Sequence, residues 1–233
     1  MSFHKFILSK NRELEKDKIN IKIDNTSINF IEKTYFNFVD KIVYINLEER
    51  TDRKEGIENE LRFINSDKII RFNAIKDKMG IIGCVKSHIA VLEMAIENNW
   101  KNCLILEDDM EWKNFDSNYP VLEKLIGNDY DVIILGGIYL QYNKTTLKCN
   151  HAITTTAYLI NNSYYSKLLQ NFKDGLELRS KCSETDNTYN LDEYWNKLIK
   201  KDNWYVVVPN LSIQKADFSD ILNKFRDKKY LYS

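Results

Sequence analysis

The sequence predicts an α/β fold with a largely parallel sheet at its centre. Short β-branched runs alternate along the chain with stretches of helical periodicity, which is the pattern of strand–helix–strand units. Two of the runs, Cys103–Leu106 and Asp131–Leu135, are almost wholly apolar, as strands buried on both faces are. No repeat and no Pro/Gly/Ser-rich linker divides the 233 residues, so one sizeable domain is expected.

The elements follow in order. Residues 1–40 read as an N-terminal extension in which Ile19–Phe30 alternates apolar and polar residues, like a half-buried strand. The domain proper occupies residues 41–233. Lys41–Leu47 is a β-branched strand and Thr51–Phe63 carries helical spacing. Lys68–Ile75 is a second strand. Val85, Ile89, Leu92 and Ile96 fall on one stripe of a helix over Val85–Asn99. The strands at Cys103 and Asp131 come next, the latter ending at Gly136. The Thr-rich run His151–Ile160 is β-prone. Asn162 or Ser163 caps a helix reaching Phe172. Leu191–Lys201 reads as helix, Trp204–Val208 as strand, and the basic end (Lys224, Arg226, Lys228, Lys229) as a solvated helix.

Composition removes several function classes. Hydrophobic residues at 43% and charged residues at 29% are the balance of a folded protein, not of a disordered one. Thirty-four basic residues match 34 acidic ones, which argues against nucleic-acid binding by bulk charge. No apolar run approaches the roughly 18 residues of a membrane span, and Met1–Asn11 is too polar for a secretory signal. The expectation is a cytoplasmic protein, or a fragment whose targeting segment is missing. Cys84, Cys103, Cys149 and Cys182 are widely spaced with no C-x-x-C pair, so they read as buried thiols.

Three segments carry chemistry. In Cys103-Leu104-Ile105-Leu106-Glu107-Asp108-Asp109 a buried strand ends in three adjacent carboxylates. Such a cluster repels itself, and a hard divalent cation with oxygen ligands would compensate it; a solvated acidic turn is the other reading. In Gly80-Ile81-Ile82-Gly83-Cys84-Val85-Lys86-Ser87-His88 two glycines precede an amphipathic helix. A helix start of this kind favours an anion, with Ser87 and His88 in the first turns within reach of it; a plain helix-start loop is the alternative. The spacing matches neither a Walker loop nor a dinucleotide fingerprint. In Asn46-Leu47-Glu48-Glu49-Arg50-Thr51-Asp52-Arg53 two arginines three apart follow the first core strand. Their forks suit phosphate, unless they form an ordinary charged surface. All three segments fall at carboxyl ends of candidate strands, where α/β sheets bind ligands. A metal-bound diphosphate would satisfy all three together.

Several motifs resemble glycosyltransferase family 25, which includes bacterial lipooligosaccharide galactosyltransferases and collagen hydroxylysine galactosyltransferases. They are Tyr44-Ile45-Asn46-Leu47 with Arg50 and Arg53, Phe72-Asn73-Ala74, Gly83-Cys84 with Ser87-His88, and Leu106-Glu107-Asp108-Asp109. Tyr130-Asp131, Ala157-Tyr158-Leu159-Ile160, Asp192, Pro209, Gln214 and Ser219-Asp220-Ile221 continue the likeness. It runs from about Lys41 to Ile221, and the order G-C-x-x-S-H then L-E-D-D is its most specific part.

The resemblance implies a single GT-A-type domain, Rossmann-like, with a mixed, mostly parallel sheet flanked by helices. It implies a transferase moving galactose or glucose from a UDP-sugar to a hydroxyl on a glycan or a collagen-like hydroxylysine site. A Mn²⁺ or Mg²⁺ ion would be held by Asp109 first, with Glu107 and Gln214 as further candidates. Asp220 is another residue that could close the site. Nucleotide-sugar contacts would come from Asn46, Arg50, Arg53, Ala74, Ser87, His88, Glu107 and Asp108. The first acid of the motif is Glu rather than Asp, so Glu107 or Asp108 could instead act through water or the ribose. Inversion at the anomeric carbon needs a base, for which Asp192 is the first candidate and Glu193 the second. Trp195, Trp204 and Tyr194 either stack on a sugar ring or fill the core. The competing readings are a catalytically inactive nucleotide-sugar-binding module, a nucleotidyltransferase, which lacks its early glycine-rich loop here, and a scaffold with a solvated acid cluster.

Overall fold

A computed structural model describes residues 35–183, 186–219, 224–227 and 231–232. The strand expected at Ile19–Phe30, and Asp220, Ile221, Lys228 and Lys229, lie outside the described residues. The unit that carries the sheet spans Thr34–Ser233.

Its centre is a six-stranded sheet. In chain order the strands are β1 (Lys41–Asn46), β2 (Ile69–Asn73), β3 (Asn102–Glu107), β5 (Val132–Tyr142), β6 (Cys149–Asn161) and β7 (Trp204–Val206), arranged β2-β1-β3-β6-β5-β7. Within this sheet only β6 runs against its neighbours, so the sheet is mixed and mostly parallel, as expected. Helix α1 (Thr51–Leu61) joins β1 to β2, and α2 (Gly80–Glu97) carries the chain back to β3.

Residue alternation along the strands decides which helix covers which face. Val43 and Ile45 of β1, with Cys103 and Ile105 of β3, face Val85, Ile89 and Leu92 of α2. The same core takes in Leu168 and Phe172 of α4 (Tyr165–Arg179), Leu191 of α5 (Leu191–Tyr194) and Ile199 of α6 (Asn196–Ile199). The alternate residues Ile42, Tyr44, Leu104 and Leu106 pack on Ile57 and Leu61 of α1 and on Leu122 and Leu125 of α3 (Phe115–Leu125). Phe36 and Val39 are also buried in this second layer.

The structure corrects several sequence expectations. Helix α2 begins at Gly80, not Val85. Its start is braced by Asp77, whose Oδ1 accepts from the Met79 N–H. Gly83 lies inside the helix, and glycine is required there because a Cβ would come within 2.4 Å of the Ile75 carbonyl oxygen. Two helix-weakening glycines make the sequence pattern start too late. Strand β5 runs past Gly136 to Tyr142 through register shifts. At Gly136 a Cβ would meet Ser212 Oγ at 2.2 Å, so the glycine is there for close packing and does not mark the strand's end. Asn161 caps a 3-10 turn at Asn162–Tyr164, its side chain accepting from Ser163 N; α4 itself starts only at Tyr165, with Tyr164 at its N-cap, and continues beyond Phe172 to Arg179. The helix expected over Leu191–Lys201 is two single turns on either side of Trp195, which anchors its indole N–H on the Ala152 carbonyl at 2.9 Å.

Four short strands escape the sequence reading. β4 (Met110–Trp112) pairs antiparallel with β8 (Ser212–Gln214), and β9 (Asp217–Ser219) pairs antiparallel with β10 (Lys224–Arg226). The basic C-terminal segment is therefore strand at Lys224–Arg226 and not helix. Both small ribbons bring distant residues to the same end of the main sheet.

Candidate active site

Strand order supplies the location. β2 and β3 lie on opposite sides of β1, and the connecting helices α1 and α2 cover opposite faces. Such a reversal opens a crevice beyond the strand carboxyl ends. The three ends are nearly flush: Asn46 registers with Asn73, and Ile45 with Glu107. A cleft of about 370 Å³ lies there. It is walled by Leu47, by the segment Ala74–Lys78 after β2, by the first turns of α2, and by the three acids after β3.

The acids point in different directions. Asp108 accepts from the Asn46 amide at 2.8 Å and from Arg53 Nη1 at 2.8 Å. Burial pushes its carboxyl above the ordinary range despite the arginine beside it. Asp109 lies 3.3 Å from Arg53 Nη1 and accepts from Gln214 Nε2 at 2.9 Å. Gln214 reaches it because β8 places Gln214 opposite Met110. The Gln214 Oε1 is buried with no hydrogen-bond donor among the described residues. Glu107 turns the other way: its Oε1 accepts from Thr155 Oγ1 at 2.5 Å and lies 3.9 Å from His88 Nε2.

The two arginines stand beside the acids, and carboxylates hold both of them. Asp217 accepts from Arg50 Nη2 at 2.9 Å and from Arg53 Nε at 2.8 Å. Arg50 also forms a fork with Asp52, and Arg53 Nη2 donates to the Phe218 carbonyl. Asn46 ties the group together, since its Oδ1 accepts from Arg71 Nε and its Nδ2 also reaches the Arg50 carbonyl. Ala74 contributes backbone only, donating its N–H to the Asn46 carbonyl at 2.9 Å.

Ser87 and His88 are not in the first turns of the helix, because α2 starts at Gly80. Ser87 is fully buried; its hydroxyl donates to the Gly83 carbonyl at 2.7 Å and accepts from the Ile75 N–H at 2.8 Å. It pins the cleft wall to α2. His88 is 1% exposed, stacks on Tyr158, and shares a 2.6 Å hydrogen bond between Nδ1 and the Tyr158 hydroxyl. Burial pulls its pKa down to about 3, so the ring is neutral at physiological pH. One turn earlier on the same helix, Cys84 is half-buried in the cleft wall.

Asp192 opens α5, and its Oδ2 accepts the Thr154 N–H at 2.9 Å. Thr154 holds a left-handed backbone, φ 70°, which is strained for a β-branched residue. Glu193, beside it, has its carboxyl pushed up by burial and then by Asp192. Burial raises the Cys84 thiol, and the charges of Glu107, Asp192, Asp109 and Asp108 push it the same way, so Asp192 shares the electrostatic neighbourhood of the three acids. Trp195 and Trp204 are fully buried against each other and belong to the core, not to a sugar platform.

Sequence reasoning passes over Asp217 and Thr155, and gives Tyr158 no role beyond its place in the Ala157-Tyr158-Leu159-Ile160 likeness. Two arginines at i, i+3 demand a carboxylate partner, and that is the available signal for Asp217. Thr155 carries no motif, and Tyr158 stands in one that names no side-chain role; both belong to a strand whose alternation only assigns faces. Tyr232 is missed as well. It is 9% exposed, shares a hydrogen bond with Thr156, and is pushed up to about 12 chiefly by burial.

Among the described residues, no helix is long and apolar enough to cross a membrane. The family model of Glycosyltransferase family 25 (LPS biosynthesis protein) matches residues 78–148, a span from the cleft wall through α2 and the three acids. "Putative glycosyltransferase R655" of Acanthamoeba polyphaga mimivirus is 29% identical over 119 residues, 41% of this chain. The chain spans 37% of that relative's length. Among solved structures, a glycosyltransferase involved in glycosylation of the major capsid of PBCV-1 aligns with TM-score 0.47 and 12% identity, over 75% of this chain and 92% of its own. A mannose-1-phosphate geranyltransferase from Thermus thermophilus aligns with TM-score 0.41 and 10% identity, over 80% of this chain and 74% of its own. Those two likenesses are too distant to speak to chemistry. The likeness to glycosyltransferase family 25 thus covers residues 78–148, and the mimivirus relative is itself described as a putative glycosyltransferase.

Proposed function

We propose that the protein is a metal-dependent glycosyltransferase of GT-A type that moves a hexosyl group from a UDP-sugar to an acceptor hydroxyl of a glycan or glycoprotein. The observation behind this reading is the meeting of three acids, Arg53 and a helix-bearing wall in one cleft at the reversal point of the sheet.

The residues fit a hard cation. Asp109 is 7% exposed, and the buried oxygen of Gln214 beside it has no donor among the described residues. An oxygen acceptor stranded next to a buried carboxylate suits an oxygen-seeking divalent ion. Asp109 and Gln214 would hold Mn²⁺ or Mg²⁺. Glu107 is the less direct candidate, because Thr155 and His88 engage it. The cation would stabilise negative charge growing on the departing diphosphate.

This chain's own groups do the rest. Arg50 and Arg53 are clamped by Asp217 and so are pre-positioned at the mouth of the acid cluster. A diphosphate competing with Asp217 for their forks would gain charge-assisted hydrogen bonds without reorganising the helix. Asn46 orients Asp108 and the Arg50 carbonyl at once. Asp192 takes the acceptor proton in an inverting displacement, its carboxylate held by the Thr154 N–H. Glu193, with its raised carboxyl, is the second choice. Neutral His88 contributes a hydrogen bond, not charge.

The test is release of UDP from a panel of UDP-hexoses with Mn²⁺ and with EDTA. Turnover of one donor, abolished by EDTA, is expected. No turnover with any donor, with UDP still bound, would replace this reading by an inactive binding module.

A further inference from the structure

A second group of ligands stands apart from Asp109 and Gln214. Cys84, His88 and Glu107 bring one sulfur, one nitrogen and one oxygen to within 4.8 Å of one another. The first two lie one turn apart on α2, and the third ends β3. Tetrahedral coordination with bonds of about 2.0–2.3 Å places ligand atoms roughly 3.4–3.6 Å apart. The His88 Nε2 to Glu107 Oε1 distance is 3.9 Å, so a small rotation of the glutamate closes the gap.

The outer contacts are those of a built site. His88 is fixed by Tyr158 through Nδ1, which leaves Nε2 directed at Glu107. Glu107 is fixed by Thr155. Metal-ligating histidines and carboxylates characteristically have such orienting partners. All three residues border the cleft, so a fourth position would open to it. The donor set, S, N and O, selects a borderline-soft ion over Mn²⁺ or Mg²⁺.

We propose that Cys84, His88 and Glu107 form a site for a zinc-type divalent cation, with three protein ligands and one position open to the cleft. It shares no ligand with Asp109 and Gln214, takes up Glu107 in place of that residue's less direct role there, and does not depend on the transferase reading.

Co²⁺ is the probe. Titrating the purified full chain with Co²⁺ is expected to give a near-ultraviolet thiolate-to-cobalt charge-transfer band that saturates at about one equivalent and is displaced by Zn²⁺. Cobalt on oxygen ligands alone gives no such band, so the two sites are read separately. The band should vanish in Cys84→Ser, persist in Cys182→Ser, and persist in Asp109→Asn. Circular dichroism of Cys84→Ser reports whether it folds, and His88→Asn offers an independent loss of the band. No band in the wild-type chain, or a band that survives Cys84→Ser, overturns the proposal. Loss of transferase activity in any variant has no bearing on this readout.

Discussion

Arg53 compensates two buried carboxylates, and removing its charge tests whether it does so energetically. Its side chain is 13% exposed, and those of Asp108 and Asp109 are 10% and 9% exposed. Arg53→Gln leaves both carboxylates with far less compensation. Breaking a buried pair from one side costs about 3–5 kcal/mol. The third partner, Asp217, is 34% exposed, and its pairing adds no more than about 1 kcal/mol. For a domain of this size each kcal/mol moves Tm by about 2–4 °C, so a fall of roughly 6–24 °C is expected at pH 7. The pH dependence identifies the cause. Burial already pushes the Asp108 carboxyl up and Arg53 opposes that shift, so without Arg53 it rises further and the added penalty develops as pH rises above the unfolded carboxyl range. It disappears as pH falls below that range. The difference between wild type and Arg53→Gln should therefore shrink toward pH 4. Thermal melts between pH 4 and 8 measure it. A fall under about 3 °C at pH 7 would refute the compensation, and a large fall independent of pH would assign the loss to packing.

Three further outcomes follow from the same contacts. Ser87→Ala removes the acceptor of the Ile75 N–H, and urea unfolding should show a loss of about 1–3 kcal/mol, because the serine is a strut rather than a ligand contact. Trp195→Ala should cost about 3–5 kcal/mol of stability, since the indole is core; unchanged stability with weakened sugar binding would reverse that assignment. Asp192→Asn should lower turnover by about 10²–10⁴-fold while leaving UDP binding intact, read by initial rates beside a binding titration. Equal loss of both would make Asp192 a binding residue.

The first half of the sheet was legible because local signals and tertiary demands agree there. β1 and β3 are apolar through most of their length; β1 ends in Asn46, which holds Asp108, and β3 runs into Glu107–Asp109, which line the cleft. The reversal of strand order was not legible, since no local pattern says that β2 and β3 lie on opposite sides of β1. The start of α2 was misplaced because propensity counts Gly80 and Gly83 against a helix, whereas Gly83 is required by the close Ile75 carbonyl. The arginines suggested a phosphate site. What holds them is Asp217, which lies 164 residues beyond Arg53 and arrives on a three-residue strand too short to show in the sequence. Ser87 and His88 stood out as unusual residues on a helix near the acids. Their burial, which turns one into a strut and keeps the other neutral, follows from the packing of α2 on the sheet and is not written in the motif.

The most direct measurement is calorimetric titration of UDP into the protein with and without Mn²⁺, repeated with Asp109→Asn. Binding that needs Mn²⁺ and is lost in Asp109→Asn, with the variant still folded, is the result predicted for a nucleotide-sugar cleft organised around that carboxylate. UDP binding indifferent to Mn²⁺ and to Asp109→Asn, or no UDP binding by the wild-type chain, would contradict it.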